Sequence, residues 1–318
     1  MNRHSDIIEV ARRKIHIRGN IHFLDKINTN KQEFLCKVRI TSSWVINQNN
    51  PYYAKALSSL VCNIDATKIW VPKLFFTNII KTFKEYTYYK LELIDNKPVI
   101  IENKSILGIF NGAFKLVQFP FDTQELSISL QSHHNMRNVI FLPFGYKFNK
   151  LAATETFVEN NEWYLDNRIT SMVSQTSAQH SSSSSEYPQI KFGFQLKRKT
   201  GFYLWNIIFI HFLMCLASFS TFSLDQDNIG DKLNVSFMTL LTVIAFKFAT
   251  TQLLPQVSYL TLLDKYIIWC ILFHILVIVQ NSLYTFIVFD YYERYSIVGL
   301  GGFLLTFNSY FYYISRST

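Results

Sequence analysis

Two patterns of hydrophobic and polar residues divide this chain near residue 200. Before that point, apolar and polar residues alternate in short runs, as expected for half-buried strands, whose successive side chains point to opposite faces. Asn, Asp, Gly and Pro residues separate these runs. The clearest runs are KIHIRGNIHF, FLCKVRITSSW, YTYYKLEL, ELSISLQ and PQIKFGFQL. Many short strands of this kind predict an antiparallel β-sandwich.

Four long apolar runs follow residue 200. Each is close to the roughly 20 residues that cross a bilayer as a helix, and the linkers between them are short. The predicted fold is therefore an all-β sandwich over residues 1–199, followed by an all-α four-helix transmembrane bundle over residues 200–318. The predicted helices cover about residues 202–222, 233–254, 266–289 and 296–314.

The second apolar run, GDKLNVSFMTLLTVIAFKFATTQLLP, contains polar residues that a lipid-facing helix does not need. An ionisable side chain near the bilayer centre costs at least about 2.5–3.5 kcal/mol. Spacings of four and three place six residues on one narrow helical stripe, and these are Asn234, Met238, Leu241, Ala245, Phe248 and Gln252. Several copies around an axis would line a pore with polar mouths and a hydrophobic constriction. Packing within the chain's own bundle explains the same periodicity, so periodicity alone leaves both interpretations open.

Charge and composition exclude several other classes of function. The net charge of +9 comes from Lys and Arg residues scattered through the first 200 residues, which favours solvated surface charge over a nucleic-acid partner. The four cysteines form no CxxC motif or Cys/His cluster, so we predict no metal site and no cofactor; a Cys36–Cys62 bridge stays open. His133 and His134 have no spaced third ligand, and no nucleophile–base set is evident. The sequence therefore predicts that the protein is not an enzyme.

Five elements in order resemble the pentameric ligand-gated ion channel, or Cys-loop receptor, superfamily over almost the whole chain. FPFDTQ, which begins at Phe119, resembles the family's FPxDxQ signature. The other elements are Trp44, WVPKLFFTN, SEYPQIKFGFQLKRKTGFYLWN and LLPQVSYLTLLDKY. The two cysteines that name the family would fall at Gly112 and Leu126. The chain thus resembles a minimal member without that disulfide, and its short DYYERY linker leaves no intracellular domain.

The resemblance implies a ring-shaped pentamer in the cell membrane, with the N-terminal domain extracellular. The implied partners are membrane lipid, identical or related subunits, an agonist and permeant inorganic ions. In the family the second membrane helix lines the pore, which gives the polar stripe that role. Asp231 resembles the acidic residue before the pore helix of cation-selective members, and five copies would form a negative ring. A non-conducting or regulatory subunit is the alternative.

The family also implies a ligand site between subunits. The matching positions are Thr77, His133 and Tyr187 on one face and Arg39 on the opposite face. Among them only Tyr187 suits a cation–π contact, whereas an arginine suits a carboxylate. We therefore expect an anionic or zwitterionic small molecule, or protons sensed through His133. The alternative is a subunit without a working site.

The family resemblance further places four residues where the two domains are coupled during gating. These residues are Asp122, Arg198, Pro255 and Tyr259. A carboxylate and an arginine form a strong, directional pair, which can transmit movement to the pore helix. A purely structural salt bridge is the alternative interpretation.

Overall fold

The computed structural model describes residues 12–57, 64–143, 150–151, 162–175, 185–224, 228–252, 254–283 and 292–316. It separates into two compact units. The first unit comprises Met1–Phe114 and Gln124–Leu196, and the second comprises Lys115–Thr123 and Lys197–Thr318. The segment around the FPFDTQ motif therefore belongs to the second unit.

Ten strands, one short α-helix and the 3-10 turn Ala66–Lys68 are described before residue 200. The strands are β1 (Arg13–Asn28), β2 (Glu33–Val45), β3 (Leu74–Phe76), β4 (Ile79–Ile94), β5 (Lys97–Asn111), β6 (Thr123–Ser132), β7 (Val139–Pro143), β8 (Lys150–Leu151), β9 (Trp163–Gln175) and β10 (Pro188–Arg198), and the helix is α1 (Tyr53–Leu57). All five runs with alternating polarity lie in strands. Four of them turn one side toward an apolar core, whereas in β4 only Leu91 is buried.

The strands form the two sheets of the predicted sandwich, which is confirmed, but the pairing is not antiparallel throughout, because β1 runs parallel to β7 and β8. One sheet has the order β4-β5-β2-β1-β7 with β8 beside β1, and the other has the order β3-β6-β10-β9. Phe34 of β2 stacks on Phe110 at 5.8 Å and meets Phe194 edge-on at 5.9 Å between ring centroids. Gly19 faces the Phe192 ring so closely that an added Cβ would lie 2.7 Å from it. The core thus requires glycine at that position.

Four helices follow, and each is long and apolar enough to cross a membrane. They are α2 (Gly201–Ser223), α3 (Ile229–Thr251), α4 (Leu262–Leu283) and α5 (Tyr292–Arg316). A π-helical turn interrupts α2 at Leu204–Ile208. Helices α3, α4 and α5 each begin about four residues before the apolar run that predicted them, since polar capping residues start α3 and α4. The predicted end of the third helix, at residue 289, lies outside the described residues.

The core of the bundle is formed by apolar side chains of α2, α4 and α5. Its buried members include Cys215, Tyr266, Phe273 and Leu304. Cys36, Cys215 and Cys270 are free, buried thiols. Cys62, the other half of the bridge left open by the sequence, lies outside the described residues.

Candidate ligand, coupling and pore sites

Three of the four predicted ligand residues belong to the four-stranded sheet. Thr77 directly follows β3; its N–H donates to the Ser129 carbonyl at 2.9 Å, and its hydroxyl accepts from Gln189 Nε2 at 3.3 Å. His133 directly follows β6, and its exposed ring stacks on Phe75 with centroids 4.4 Å apart. Phe75 and Thr77 are two residues apart and face the same side. One outward face therefore carries His133, Phe75, Thr77 and Gln189.

Tyr187 lies just before β10, on the same sheet. The carbonyl of the preceding Glu186 accepts a hydrogen bond from the Met136 N–H at 2.9 Å, which ties this segment to the loop after His133. The His133 N–H donates to the Lys73 carbonyl at 3.3 Å. His133 and Thr77 therefore lie at opposite ends of β3, and Phe75 fills the space between them. The sequence-based site missed Phe75, although the alternation along β3 would have identified it.

Arg39 lies on the other sheet, on the outward face of β2. Its backbone neighbours are Asn20 on β1 and Ser105 on β5. Its Nε is shielded from solvent, and no described residue accepts a hydrogen bond from it. Within one chain the structure thus separates Arg39 from the sheet of the other three ligand residues. Arg39 offers a guanidinium group without a described counter-charge.

The predicted coupling residues Asp122 and Arg198 form a buried, bidentate ion pair. Arg198 Nε donates to Asp122 Oδ1 at 2.7 Å and Nη2 donates to Oδ2 at 3.2 Å. Both side chains are only 2% exposed. The guanidinium also lies 4.8 Å from the centre of the Phe119 ring, which packs edge-on against Tyr203 of α2. This pair joins the FPFDTQ segment to the residue that ends β10.

The linker between α3 and α4 contacts the same segment through backbone hydrogen bonds. The hydroxyl of Tyr259 accepts from the Leu116 N–H at 2.9 Å. The N–H groups of Leu262 and Leu263 donate to the carbonyls of Val117 and Phe119 at 2.9 and 3.1 Å. Asp122, Arg198 and Tyr259 are therefore brought together within the second unit. Pro255 lies at the start of this linker and lines a cavity that also includes Lys247, Tyr259 and Asp264.

A capping box fixes the end of that linker. The Thr261 N–H donates to Asp264 Oδ2 at 3.0 Å, and the Asp264 N–H donates to Thr261 Oγ1 at 3.2 Å. Two backbone N–H groups at the start of α4 are thereby satisfied by side chains. The linker is thus held by hydrogen bonds to the backbone of Leu116, Val117 and Phe119 and by the capping box at the start of α4.

The predicted pore stripe is the exposed face of α3. Met238, Leu241 and Phe248 are 71%, 68% and 72% exposed, and Asn234, Ala245 and Gln252 are exposed as well. The opposite face is buried and more polar, with Lys232, Ser236, Val243 and Thr250. Asn281 of α4 donates to the Ser236 hydroxyl at 2.8 Å. Helix α3 therefore packs on its bundle through one face and leaves the stripe uncovered.

The remaining polar residues of α3 have local explanations. The hydroxyls of Thr242 and Thr251 donate to the carbonyls of Met238 and Lys247 at 2.8 Å each, so threonines can lie in an apolar helix. Lys247 is half-buried beside the stripe. Asp231 is exposed in the first turn, where its N–H donates to the capping Asn228 side chain and its carboxylate accepts from the Asn228 amide. Asn228 thus caps the helix, and Asp231 holds the capping side chain while it carries a charge in the first turn.

The described residues contain no group of three or more His, Cys, Asp or Glu side chains arranged to hold a metal ion. The described ligand residues offer a guanidinium, hydrogen-bonding groups and aromatic rings.

The similarities to known proteins agree with one another. Residues 6–200 match a family model described as the neurotransmitter-gated ion-channel ligand binding domain. The chain is 22% identical over 272 residues to the human gamma-aminobutyric acid receptor subunit rho-3, covering 84% of this chain and 57% of that protein. It is 27% identical over 224 residues to the acetylcholine receptor subunit epsilon of Xenopus laevis, covering 67% and 43%. The chain thus spans about half the length of these relatives.

Proposed function

This chain belongs to the neurotransmitter-gated ion-channel family, and we propose that it is a subunit of a pentameric channel whose pore is lined by α3. Its four helices are each able to span a bilayer, so it is a multi-pass membrane protein. Its relatives are receptor subunits, and it is not an enzyme. The observation that carries the proposal is the uncovered stripe on α3, since all six of its residues are exposed while the opposite face is buried. Five such stripes around an axis form a channel with polar mouths.

The pore selects cations in this proposal. Asp231 lies exposed at the first turn of α3, and five copies concentrate negative charge at one mouth. Between Asn234 and Gln252 the stripe is apolar, so the closed state excludes water at the level of Leu241 and Phe248. The same apolar stripe keeps the non-conducting or regulatory subunit as the second candidate function.

The agonist in this proposal carries a carboxylate or another anionic group. Arg39 presents a guanidinium without a described acceptor, whereas Thr77, His133 and Tyr187 lie on the other sheet. A site that uses all four takes its residues from two neighbouring subunits. One relative is named for gamma-aminobutyric acid, which carries a carboxylate, and the other is named for acetylcholine, a cation. Arg39 favours the first kind of ligand, because a guanidinium repels a cation.

Coupling runs through the buried Asp122–Arg198 pair. Arg198 ends β10 and lies three residues before α2, and Leu116, Val117 and Phe119 hold the linker that follows α3. A displacement of this segment therefore reaches the start of α2 through the ion pair and the linker after α3 through hydrogen bonds. A buried, bidentate ion pair is strong and has a specific geometry, which suits the transmission of movement.

The test of channel function is electrophysiology on the full chain, expressed alone, over a panel of carboxylates, amines and pH values. We expect gated current whose reversal potential follows the cation gradient. Asp231→Asn removes the charge but keeps a side chain of nearly the same size beside Asn228, and we expect it to weaken the selectivity. Glu92→Gln removes an exposed carboxylate from β4 and serves as the control. An anion-like reversal potential in the unmodified chain would overturn the selectivity.

Cysteine accessibility tests the pore stripe separately. We expect a water-soluble thiol reagent to block current through Leu241→Cys, and to spare Val298→Cys, an exposed residue of α5. The unmodified chain, whose described cysteines are buried, gives the background. Surface expression without any current in all conditions would favour the regulatory subunit.

A further inference from the structure

The outward face of β1 and β2 carries three basic side chains close together. Arg39 of β2 lies opposite Asn20 of β1. Arg18 and His22 lie two residues to either side of Asn20 on the same face of β1, so both are diagonal neighbours of Arg39. Such neighbours are about 7–8 Å apart, within reach of long side chains. A register irregularity between Ile21 and Phe23 shifts the strand at His22.

These three residues have shielded nitrogen atoms without described acceptors. They are the Nε atoms of Arg18 and Arg39 and the Nε2 atom of His22. Like charges on adjacent strands destabilise a sheet, and shielded donors without partners add to that cost. One other cation of the same sheet is paired, since Lys104 lies 2.8 Å from Glu85. The cluster differs from that site because it combines neighbouring positive charges with shielded donors that no described residue satisfies.

The pKa of His22 reflects the positive charges around it. Burial lowers the pKa of His22, and the positive charges of Arg39 and Lys37 lower it further. The positive charges that act on this imidazole are those of Arg39 and Lys37, both on β2. A bound anion would oppose the effect of these charges and favour the protonated imidazole.

We infer that Arg18, His22 and Arg39 form one surface that binds a small ligand bearing two negative charges, such as a dicarboxylate or a phosphate monoester. This inference rests on the proposed intersubunit ligand site, to which it adds the second charge. One guanidinium satisfies one carboxylate through a bidentate contact. Arg18 and His22 provide a second set of donors that a monocarboxylate leaves unused. Asn20, between them, belongs to the same outward face.

A carboxylate from a neighbouring subunit is the competing occupant. Glu186 precedes Tyr187 on the opposite ligand face and is exposed. A single carboxylate matches one arginine and leaves the other arginine and the histidine without a partner. The three donors together therefore favour a dianionic ligand, and the two occupants make different predictions for Glu186→Gln.

The test is calorimetric binding to the purified full-length protein in detergent, with succinate, inorganic phosphate and acetate as probes. We expect succinate or phosphate to bind more tightly than acetate; the better of the two identifies the ligand chemistry. Arg18→Gln and Arg39→Gln should each weaken that binding roughly tenfold or more, as expected for a lost hydrogen bond to a charged group. Lys97→Gln, which removes an exposed charge from the β4–β5 turn, should leave binding unchanged.

Two further variants separate ligand binding from structural effects. Arg18→Lys keeps the charge and loses the planar fork, so we expect an intermediate affinity. Because the pKa of His22 is lowered, its protonation should strengthen binding only below the ordinary histidine value. His22→Gln should remove the pH dependence that is left after the protonation of the succinate or phosphate probe itself is subtracted. Each variant is compared as an intact oligomer by size-exclusion chromatography.

Several outcomes overturn the inference. One is no binding of succinate or phosphate at millimolar concentration, and another is equal binding of acetate and succinate. A third is weaker subunit assembly in both Arg18→Gln and Glu186→Gln with unchanged binding, which would assign the cluster to a subunit contact. Because binding is measured without current, a protein that binds succinate but never conducts refutes the channel proposal alone. A conducting channel whose binding ignores Arg18 refutes this inference alone.

Discussion

The Asp122–Arg198 ion pair allows the most direct test of the coupling region. Arg198→Met removes the cation and leaves the Asp122 carboxylate, 2% exposed, without its bidentate partner. Breaking a buried pair by removing one partner costs about 3–5 kcal/mol, because the remaining charge stays buried. The variant also loses the guanidinium that lies 4.8 Å from the Phe119 ring centre. We therefore expect a large loss of stability from a single substitution.

The double variant separates the pair from its surroundings. Asp122→Leu alone should destabilise as strongly as Arg198→Met, since each leaves one buried charge. In the combination no buried charge remains, and apolar replacements of a buried ion pair are often neutral or stabilising. We expect the two losses to be strongly non-additive, with a coupling energy of roughly 2 kcal/mol or more.

The assay is the apparent melting temperature of purified full-length protein, followed by intrinsic tryptophan fluorescence. At about 2–4 °C per kcal/mol for domains of 150–250 residues, each single variant should melt roughly 6–20 °C lower. Lys68→Met, which breaks the exposed Lys68–Asp65 pair at 3.7 Å, should cause no detectable change. The reasoning would be refuted by single variants that melt within 2 °C of the unmodified protein, a shift that corresponds to a stability change of only about one-half kcal/mol. Strictly additive losses in the double variant would refute it as well.

Three further predictions follow from buried, capping and exposed residues. Burial raises the pKa of Glu102, so its ionised form disfavours folding above that pKa, and stability should rise as the pH falls toward the ordinary glutamate value. Glu102→Gln should melt higher at pH 7 and lose this pH dependence, unlike the exposed control Glu92→Gln. Thr261→Ala should cost about 1 kcal/mol through the lost capping box, measured by melting against Thr306→Ala on α5. Phe248→Ala should raise unitary conductance by widening an apolar constriction, whereas Val298→Ala on α5 should not.

The sequence was sufficient for the architecture because the core imposes two simple periods. Alternation identified strands such as β2, whose residues Phe34, Cys36, Val38 and Ile40 all point into the sandwich. Apolar length identified the four helices. The helix starts were placed too late, because Asn228 and Thr261 cap helices through side-chain hydrogen bonds that a hydrophobic window does not detect.

The candidate sites were less predictable, since they depend on neighbours that are distant in the chain. Arg39 was predicted as a ligand residue, but Arg18 and His22 join it only through the β1–β2 register. A slip of one residue would turn both to the other face. Gln189 was missed for a related reason, since it contributes to the ligand face through a contact with Thr77, whereas alternation along β3 was sufficient to identify Phe75.

The two least buried membrane helices differ in what they expose, and this difference favours a pore for α3. The exposed end of α5 carries Tyr310, Tyr312 and Tyr313, and the start of α2 carries exposed Trp205, which lines the same cavity as Tyr312. Tyr and Trp at a helix end are typical of a lipid-facing surface at the membrane interface. The corresponding end of α3 exposes Thr251 and Gln252 instead. Its exposed face thus has polar ends without an aromatic belt, which suits contact with water and neighbouring subunits better than contact with lipid.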